Sequence, residues 1–200
     1  MTAVKRMEPD RTLLRSEVRA SRAIGSIFLT IFGAAWLVLW CMQTYGAASS
    51  VLLVIIAAAG CLLLFSSRQY RKNERAYRAS RDTSRRRNQS RAFSIINAAQ
   101  WVIIVGGAEV LTRFNRSSWI VPLVIFTVGA HFIPLGVVFK SKARHAMGVA
   151  SMLVALSYPY LTSAGPESPL GALCAGLILW AGAIGSLLPY RGSPEVVENE

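Results

Sequence analysis

The segment that most constrains this chain is a run of basic residues enclosed by two apolar stretches. Residues 68–91 carry ten Lys or Arg side chains and only two acids, Glu74 and Asp82. The apolar stretch on each side is long enough to cross a lipid bilayer as a helix. We therefore expect the basic segment to lie in water beside a membrane and to set which side of that membrane the other loops occupy.

Six apolar runs divide the chain, and each is close to the length of about 20 residues that a spanning helix needs. Ser151, Ser157 and the sequence Tyr158-Pro159-Tyr160 dilute the fifth run, which makes it the weakest. Strands are excluded, because a bilayer satisfies backbone groups only in helices or closed barrels and no run alternates with period two. The chain is thus predicted to be all-α, a polytopic membrane protein folded as a six-transmembrane-helix bundle. The predicted spans are residues 23–42, 47–65, 92–111, 119–139, 143–161 and 168–188.

Composition and charge placement agree with this prediction. Apolar residues make up 53% of the chain and charged residues 16%, which leaves too few polar side chains to cover a soluble domain. Six spans place 20 of the 22 Lys and Arg residues on one side, and only Arg113 and Arg116 on the other. The positive-inside rule then puts both termini in the cytoplasm. The excess of Arg over Lys suits a bacterium with a GC-rich genome, and hence an inner (plasma) membrane.

The chain therefore divides into three parts. Residues 1–22 form a cytoplasmic N-terminal segment, which is either a short amphipathic helix on the membrane surface, capped by Asp10, or a loosely ordered basic tail. Residues 23–190 form the transmembrane domain, with a basic cytoplasmic loop at 66–91. Residues 191–200 form an acidic cytoplasmic tail that we expect to be disordered.

The basic loop is a candidate docking site for an anionic lipid or an acidic protein partner. Its first half repeats cations at helical spacing, so an extension of the second helix would carry them as one stripe. From Ser80 onward, polar residues predict a flexible turn that carries three consecutive arginines. The alternative is that the loop only fixes topology, and no stacking aromatic or groove-reading motif favours nucleic acid. The candidate docking residues are Arg68, Arg71, Lys72, Arg75, Arg78, Arg85, Arg86 and Arg87.

A histidine inside the fourth run is the candidate for a buried polar site. Pro134 follows His131 by three residues and predicts a kink, because it cannot donate to the carbonyl of Ala130. Gln100 lies at a similar depth in the third run, with Asn97 one turn away, so the three polar side chains are predicted to cluster. The cluster would bind a proton or a polar ligand. Alternatively, His131 would hydrogen-bond Gln100 and hold the two helices together.

Glu109 is the acid that lies inside an apolar run, near the outer end of the third helix. Arg113 follows it by four residues, which is the favourable order for an ion pair along a helix. Glu109 is therefore either one half of an interfacial ion pair or an outer gating carboxylate. We count it with His131, Gln100 and Asn97 as a candidate site residue.

The stretch Gly129-Ala130-His131-Phe132-Ile133-Pro134-Leu135 resembles the His-Phe-x-Pro-Leu stretch of small bacterial multi-pass membrane proteins. The resemblance covers a few residues of one helix. It implies that His131 and Pro134 form one unit, and it implies no activity.

The sequence contains none of the common motifs for catalysis, cofactor binding or metal binding. No nucleophile elbow, phosphate-binding loop, dinucleotide fingerprint or metal-binding histidine pair is present, so we expect no enzyme, cofactor or metal. Cys41 and Cys174 would both lie near the outer face, where a disulfide is conceivable, but apolar surroundings favour free thiols. Small residues in the sixth run predict close helix packing within the chain or between protomers of a homo-oligomer.

Two functions follow from these features. The leading one is a non-enzymatic membrane protein that associates with lipids or protein partners through its basic cytoplasmic face. The alternative is a small transporter or channel built around His131.

Overall fold

A computed structural model describes residues 11–79 and 84–188, with side chains at 16, 18–74 and 88–188. This part of the chain is helical, as predicted, with short turns between six α-helices. Two 3₁₀ turns, Ser117–Trp119 and Gly165–Glu167, lie in the connections. The predicted acidic tail falls outside the described residues. The helices are α1 (Arg11–Tyr45), α2 (Ser50–Ala79), α3 (Ser84–Arg113), α4 (Ile120–Val138), α5 (Lys142–Leu161) and α6 (Leu170–Leu187).

Five helices are long and apolar enough to cross a membrane. The exception in the described part of the chain is α5, which matches the predicted weakness of the fifth run. The spanning stretches are Val18–Tyr45, Ser50–Glu74, Asn88–Arg113, Ser117–Val138 and Leu170–Leu187.

Contacts between the helices fix which of their ends lie together. The Ser26 and Ser66 hydroxyls are 3.1 Å apart, and the Ser26 hydroxyl lies 3.1 Å from the carbonyl of Ala183. The Gln89 amide donates to the carbonyl of Val138 at 3.4 Å. The N-terminal halves of α1 and α3 therefore lie at the same end of the bundle as the C-terminal halves of α2, α4 and α6. We call this end of the bundle the basic end.

The first three helices project beyond the others at the basic end. They contain 35, 30 and 30 residues, whereas α4, α5 and α6 contain 19, 20 and 18. At about 1.5 Å per residue, the short helices match a hydrocarbon core of about 30 Å, and the long ones exceed it by about 15–22 Å. Because short connections join the helices at the opposite end, the surplus lies at the basic end. The N-terminal segment is neither a separate surface helix nor a loose tail from Arg11 onward, because α1 is continuous.

The order of packing differs from three independent hairpins. Helix α1 lies between α2 and α6, α4 pairs with α5, α5 contacts α6, and α3 packs mainly against α4. Glycines allow close approach of the backbones at two helix crossings. A Cβ on Gly33 would lie 3.1 Å from the carbonyl oxygen of Gly176, and a Cβ on Gly148 would lie 2.7 Å from that of Gly129. The small residues of α6 thus serve packing within the chain at Gly176.

The distribution of side chains is inverted relative to a soluble protein. The buried positions are mostly small or weakly polar, including Ala183 and Thr30, which are fully buried. Large apolar side chains point outward, with Val102 71% and Leu53 69% exposed. A soluble protein avoids so large an exposed apolar surface, whereas helices in lipid pack through small residues and face outward with large ones.

Ser26 joins three helices near the basic end. Its hydroxyl contacts the hydroxyl of Ser66 on α2 and the carbonyl of Ala183 on α6, and Ser66 also contacts the carbonyl of Leu62 at 2.7 Å. The two hydroxyl groups have two protons to donate and make three contacts, so at any moment only two of the three contacts are hydrogen bonds. All these groups are buried, and their mutual bonding stabilises the packing of α1, α2 and α6.

Helix α5 buries two of its polar side chains inside the bundle. Ser151 is buried, and the buried ring of Tyr158 packs against Gly171, where a Cβ would lie 2.5 Å from the ring. The Tyr158 hydroxyl donates to the carbonyl of Pro166 at 3.1 Å. Two of the polar residues that lower the hydropathy of α5, Ser151 and Tyr158, therefore face the bundle, whereas Ser157 and Tyr160 are exposed.

Candidate functional site

The cationic stripe of the basic loop lies on a continuous helix, as predicted. Helix α2 runs past its apolar part to Ala79, and Arg68, Arg71 and Lys72 are exposed on this extension. Arg75 and Arg78 occupy the next turns of the same helix, and their side chains lie outside the described ones. The spacing places all five on one face.

The prediction of a flexible turn carrying Arg85, Arg86 and Arg87 is wrong. Helix α3 begins at Ser84, so the three arginines form its first turn. Arginine is a strong helix former, and extending an existing helix avoids the cost of nucleation. These two effects outweigh the weaker propensities of the neighbouring Ser, Asn and Gln residues. Two helical extensions therefore leave the bundle at the basic end, and residues 80–83 connect them.

His131 lies on α4 in a half-buried position. Its ring stacks on that of Phe132, with centroids 5.2 Å apart and an interplanar angle of 13°. Phe132 belongs to a core cluster that also contains Leu135 and Met147. Both His131 ring nitrogens are buried and have no hydrogen-bond partner among the described residues. An unpaired buried polar group costs about 1–3 kcal/mol, which makes His131 a costly residue for packing alone.

The predicted partners of His131 are present on α3, but no hydrogen bond joins them to it. Gln100 is half-buried, and its side-chain oxygen has no partner in the described part of the chain. Asn97, one turn nearer the basic end, is also half-buried. The hydrogen bond between His131 and Gln100 that we considered from the sequence is therefore absent, and their clustering around a ligand stays a prediction.

Pro134 lies inside α4, which continues for four more residues to Val138. Its ring replaces the donor that would have bonded the carbonyl of Ala130. The proline does not end the helix, and the predicted kink stays a prediction.

Glu109 forms the predicted ion pair. The Arg113 Nε atom donates to Glu109 Oε1 at 2.8 Å, and the two side chains are 60% exposed or more. Such exposed pairs one helical turn apart contribute about 0.3–0.5 kcal/mol. Because the Glu109 side chain is exposed and not buried in the core, this geometry favours an interfacial pair over a gating carboxylate.

Arg144 is a site residue that sequence reasoning missed. It lies in the first turn of α5, where its guanidinium carbon is 4.1 Å from the centre of the Phe139 ring. Its Nη1 atom is buried and has no acceptor among the described residues. The turn before α5 explains this placement, because Lys140 adopts a left-handed conformation (φ 48°) and the Ser141 N–H donates to the carbonyl of Gly136 at 2.8 Å.

A tight turn after α4 therefore folds Arg144 back into the bundle. The sequence feature that indicates this turn is the short connection between the fourth and fifth apolar runs. The sequence alone identifies Arg144 only as one of the cations on the basic side of the membrane.

The basic end also contains an open cleft between α3 and α4. The cleft has a volume of about 330 Å³ and is lined by Asn88, Gln89, Ala92, Val138 and Lys140. The lining combines apolar Ala92 and Val138 with polar Asn88, Gln89 and Lys140.

Two other sequence predictions concern cysteines and metals. Cys41, Cys61 and Cys174 are free thiols, and Cys41 is buried in a core cluster with Leu37 and Ile55. The conceivable disulfide between Cys41 and Cys174 is therefore not formed. Within residues 11–79 and 84–188, no group of three or more His, Cys, Asp or Glu side chains is placed to hold a metal ion.

Comparison with protein-family models, with curated proteins and with solved structures finds no match to this chain. The fold and the sites described above therefore carry the functional argument by themselves. The resemblance of the His131–Pro134 region to small bacterial membrane proteins stays a prediction.

Proposed function

We propose that this chain is a six-span integral membrane protein of a bacterial inner membrane, with both termini in the cytoplasm. Its basic end binds anionic lipid or an acidic protein partner, and it catalyses no reaction. The observation that carries this proposal is the projection of three helices past the length of a bilayer at the end where nearly all cations lie.

Membrane insertion is supported by the inverted distribution of side chains. Outward-facing Val102 and Leu53 need an apolar solvent, and the buried alanines, glycines and serines need only close helix contact. The sixth span, α5, is supported by its packing. It meets α4 at Gly148 and α6 at Tyr158, so it runs between two helices that are long and apolar enough to span.

Extraction tests the insertion itself. A protein held by spans remains in the membrane pellet after alkaline carbonate and enters solution only with detergent. Release by carbonate alone would contradict the proposal.

Docking is supported by the exposure of Arg68, Arg71 and Lys72 and by the helical placement of Arg85–Arg87. Near-surface Lys or Arg residues contribute about 1 kcal/mol each to binding of an anionic membrane. Replacing all three of Arg85, Arg86 and Arg87 by Gln should therefore weaken vesicle binding about 100-fold at low salt.

The measurement uses the full chain in nanodiscs of zwitterionic lipid, sedimented with vesicles that contain phosphatidylglycerol. The matched control replaces Arg113 and Arg116, which lie at the opposite end, and should bind as the unaltered protein does. Equal binding by the triple variant and the control would leave the basic loop as a topology determinant only.

A second candidate function, a small transporter or channel, is favoured by the two unpartnered His131 nitrogens and the unpartnered oxygen of Gln100. Buried polar groups without partners inside a span are typical of sites where a proton or polar ligand passes. Proteoliposomes containing a pH-sensitive dye test it. Proton flux should be present in the unaltered chain, lost in His131→Ala and retained in His145→Ala. Absence of flux in the unaltered chain would eliminate a proton pathway.

A further inference from the structure

The guanidinium of Arg144 is a half-buried cation whose Nη1 atom has no partner among the described residues. An arginine side chain keeps its charge at every physiological pH, and a buried charge is costly unless it is paired. The Phe139 ring covers one face at 4.1 Å, and Nη1 is buried with no acceptor among the described residues. Helix α1 passes close by at Gly25, where a Cβ would lie 3.9 Å from Nη2. The group is thus held in place by three helices.

The described carboxylates do not supply the missing partner. Glu109 is paired with Arg113 at the opposite end of the bundle, and Glu167 lies in the connection at that same end. Glu74, on the extension of α2 at the basic end, has an interaction partner of its own. Lys140 and Lys142, four and two residues before Arg144, are exposed cations. An anion that neutralises Arg144 must therefore come from outside this part of the chain.

The backbone around Arg144 adds further donors. Arg144 lies in the first turn of α5, and Ser141 at the N-cap makes no side-chain capping bond. The Arg144 N–H donates to the Ser141 carbonyl at 3.2 Å, which leaves the N–H groups of Lys142 and Ala143 without an intrahelical acceptor. Such groups favour negative charge. A guanidinium fork on the same helical turn matches the geometry of a phosphate, which accepts two parallel hydrogen bonds.

We propose that Arg144, together with the start of α5, forms a binding site for a phosphate-type oxyanion at the basic end. This inference rests on the proposed membrane function for its location, because α5 begins three residues after α4 ends, at the level of lipid headgroups. The oxyanion is the phosphate of an anionic phospholipid or free phosphate, and both present the same oxygens to the guanidinium.

The test measures thermal unfolding of the purified full chain in an uncharged detergent. One arm adds phosphatidylglycerol, a second adds phosphatidylcholine, and a third adds inorganic phosphate against chloride at equal ionic strength. We expect phosphatidylglycerol or phosphate to raise the unfolding midpoint of the unaltered chain, as any ligand of the folded state does. A shift in the lipid arm alone assigns a phospholipid, and a shift with phosphate as well assigns a site that accepts the free anion.

Two variants decide whether Arg144 is responsible. Arg144→Gln should lose most of the midpoint shift, and Lys142→Gln should keep it, because Lys142 is an exposed cation on the same turn. Equal shifts in Arg144→Gln and the unaltered chain, or an equal loss in Lys142→Gln, would overturn the site. If Arg144→Gln does not fold, native mass spectrometry of the unaltered chain replaces it, and absence of any phosphate or phospholipid adduct would overturn the site.

The outcome is separable from that of the docking proposal. The Arg85–Arg87 variant retains Arg144 and should keep its midpoint shift while losing vesicle binding. A chain that docks on vesicles through those arginines but shows no shift would refute the Arg144 site alone.

Discussion

The contact between α4 and α5 gives the sharpest prediction of stability. A Cβ on Gly129 would lie 2.9 Å from the Gly148 carbonyl oxygen and from two atoms of Met152, one of them its backbone nitrogen. Ordinary contacts of a Cβ begin at about 3.4 Å, so Gly129→Ala forces α5 away by about 0.5 Å. Backbone atoms cannot turn aside as a flexible side chain does, so the whole crossing must loosen.

The size of the effect follows from two opposing contributions. Overpacking of this kind costs about 1–3 kcal/mol. Alanine in place of glycine inside a helix contributes about 1 kcal/mol in the other direction. Gly60→Ala isolates the second contribution, because Gly60 lies inside α2 and a Cβ there would meet nothing within 4 Å. The difference in unfolding free energy between the two variants is therefore expected to be about 1–3 kcal/mol.

The assay is unfolding of each variant by sodium dodecyl sulfate in mixed micelles, followed by circular dichroism. Gly129→Ala should unfold at a lower detergent fraction than Gly60→Ala. Equal transitions for the two variants would refute the reasoning, since they would mean that α4 and α5 do not approach as closely as the Gly129 geometry requires.

Other variants test the hydrogen bonds, the ion pair and the thiols. Ser26→Ala removes a hydroxyl that joins three helices and should lower the free energy of unfolding by about 0.6–1.7 kcal/mol. Ser66→Ala should lower it by less, because the Ser66 hydroxyl also bonds to a carbonyl of its own helix. A larger loss for Ser66→Ala in the same unfolding assay would contradict this order. Glu109→Gln should change the unfolding free energy by less than about 0.5 kcal/mol, and a larger loss would assign its ion pair a structural role. In folded protein, an apolar maleimide should modify the exposed Cys61 faster than the buried Cys41, as mass spectrometry of the alkylated chain would measure.

The helical elements were predictable because each apolar run has the length of a span. In lipid, an apolar run without alternation satisfies its backbone groups only as a helix, so the prediction that each run is helical follows from its composition. The weakness of the fifth run was predictable too, since Tyr158-Pro159-Tyr160 lowers its hydropathy. The Glu109–Arg113 pair was predictable because it lies within one helix, where spacing determines distance.

Contacts between helices were not predictable in the same way. Many outward-facing and inward-facing residues of a span are equally apolar, so periodicity does not identify the partner of a helix. The pairing of Gly33 with Gly176, and of Gly129 with Gly148, depends on which helices lie next to each other. The burial of Arg144 depends on the geometry of one turn. The absence of a hydrogen bond between His131 and Gln100 has the same cause, because two residues at equal depth in the membrane on different helices need not be in contact.

The pairing of α1 with α6 has a consequence for how the protein is made. The Arg22 guanidinium donates to the carbonyl of Gly185 at 2.8 Å, and the Trp180 indole donates to the carbonyl of Thr30 at 3.2 Å. Helix α6 is synthesised about 125 residues after Tyr45, which at about 5–20 residues per second leaves α1 waiting for about 6–25 seconds. During that interval the face of α1 that packs against α6 is uncovered. A ribosome that stops before Leu170 therefore releases a chain in which α1 packs against α2 but has no α6 to pack against.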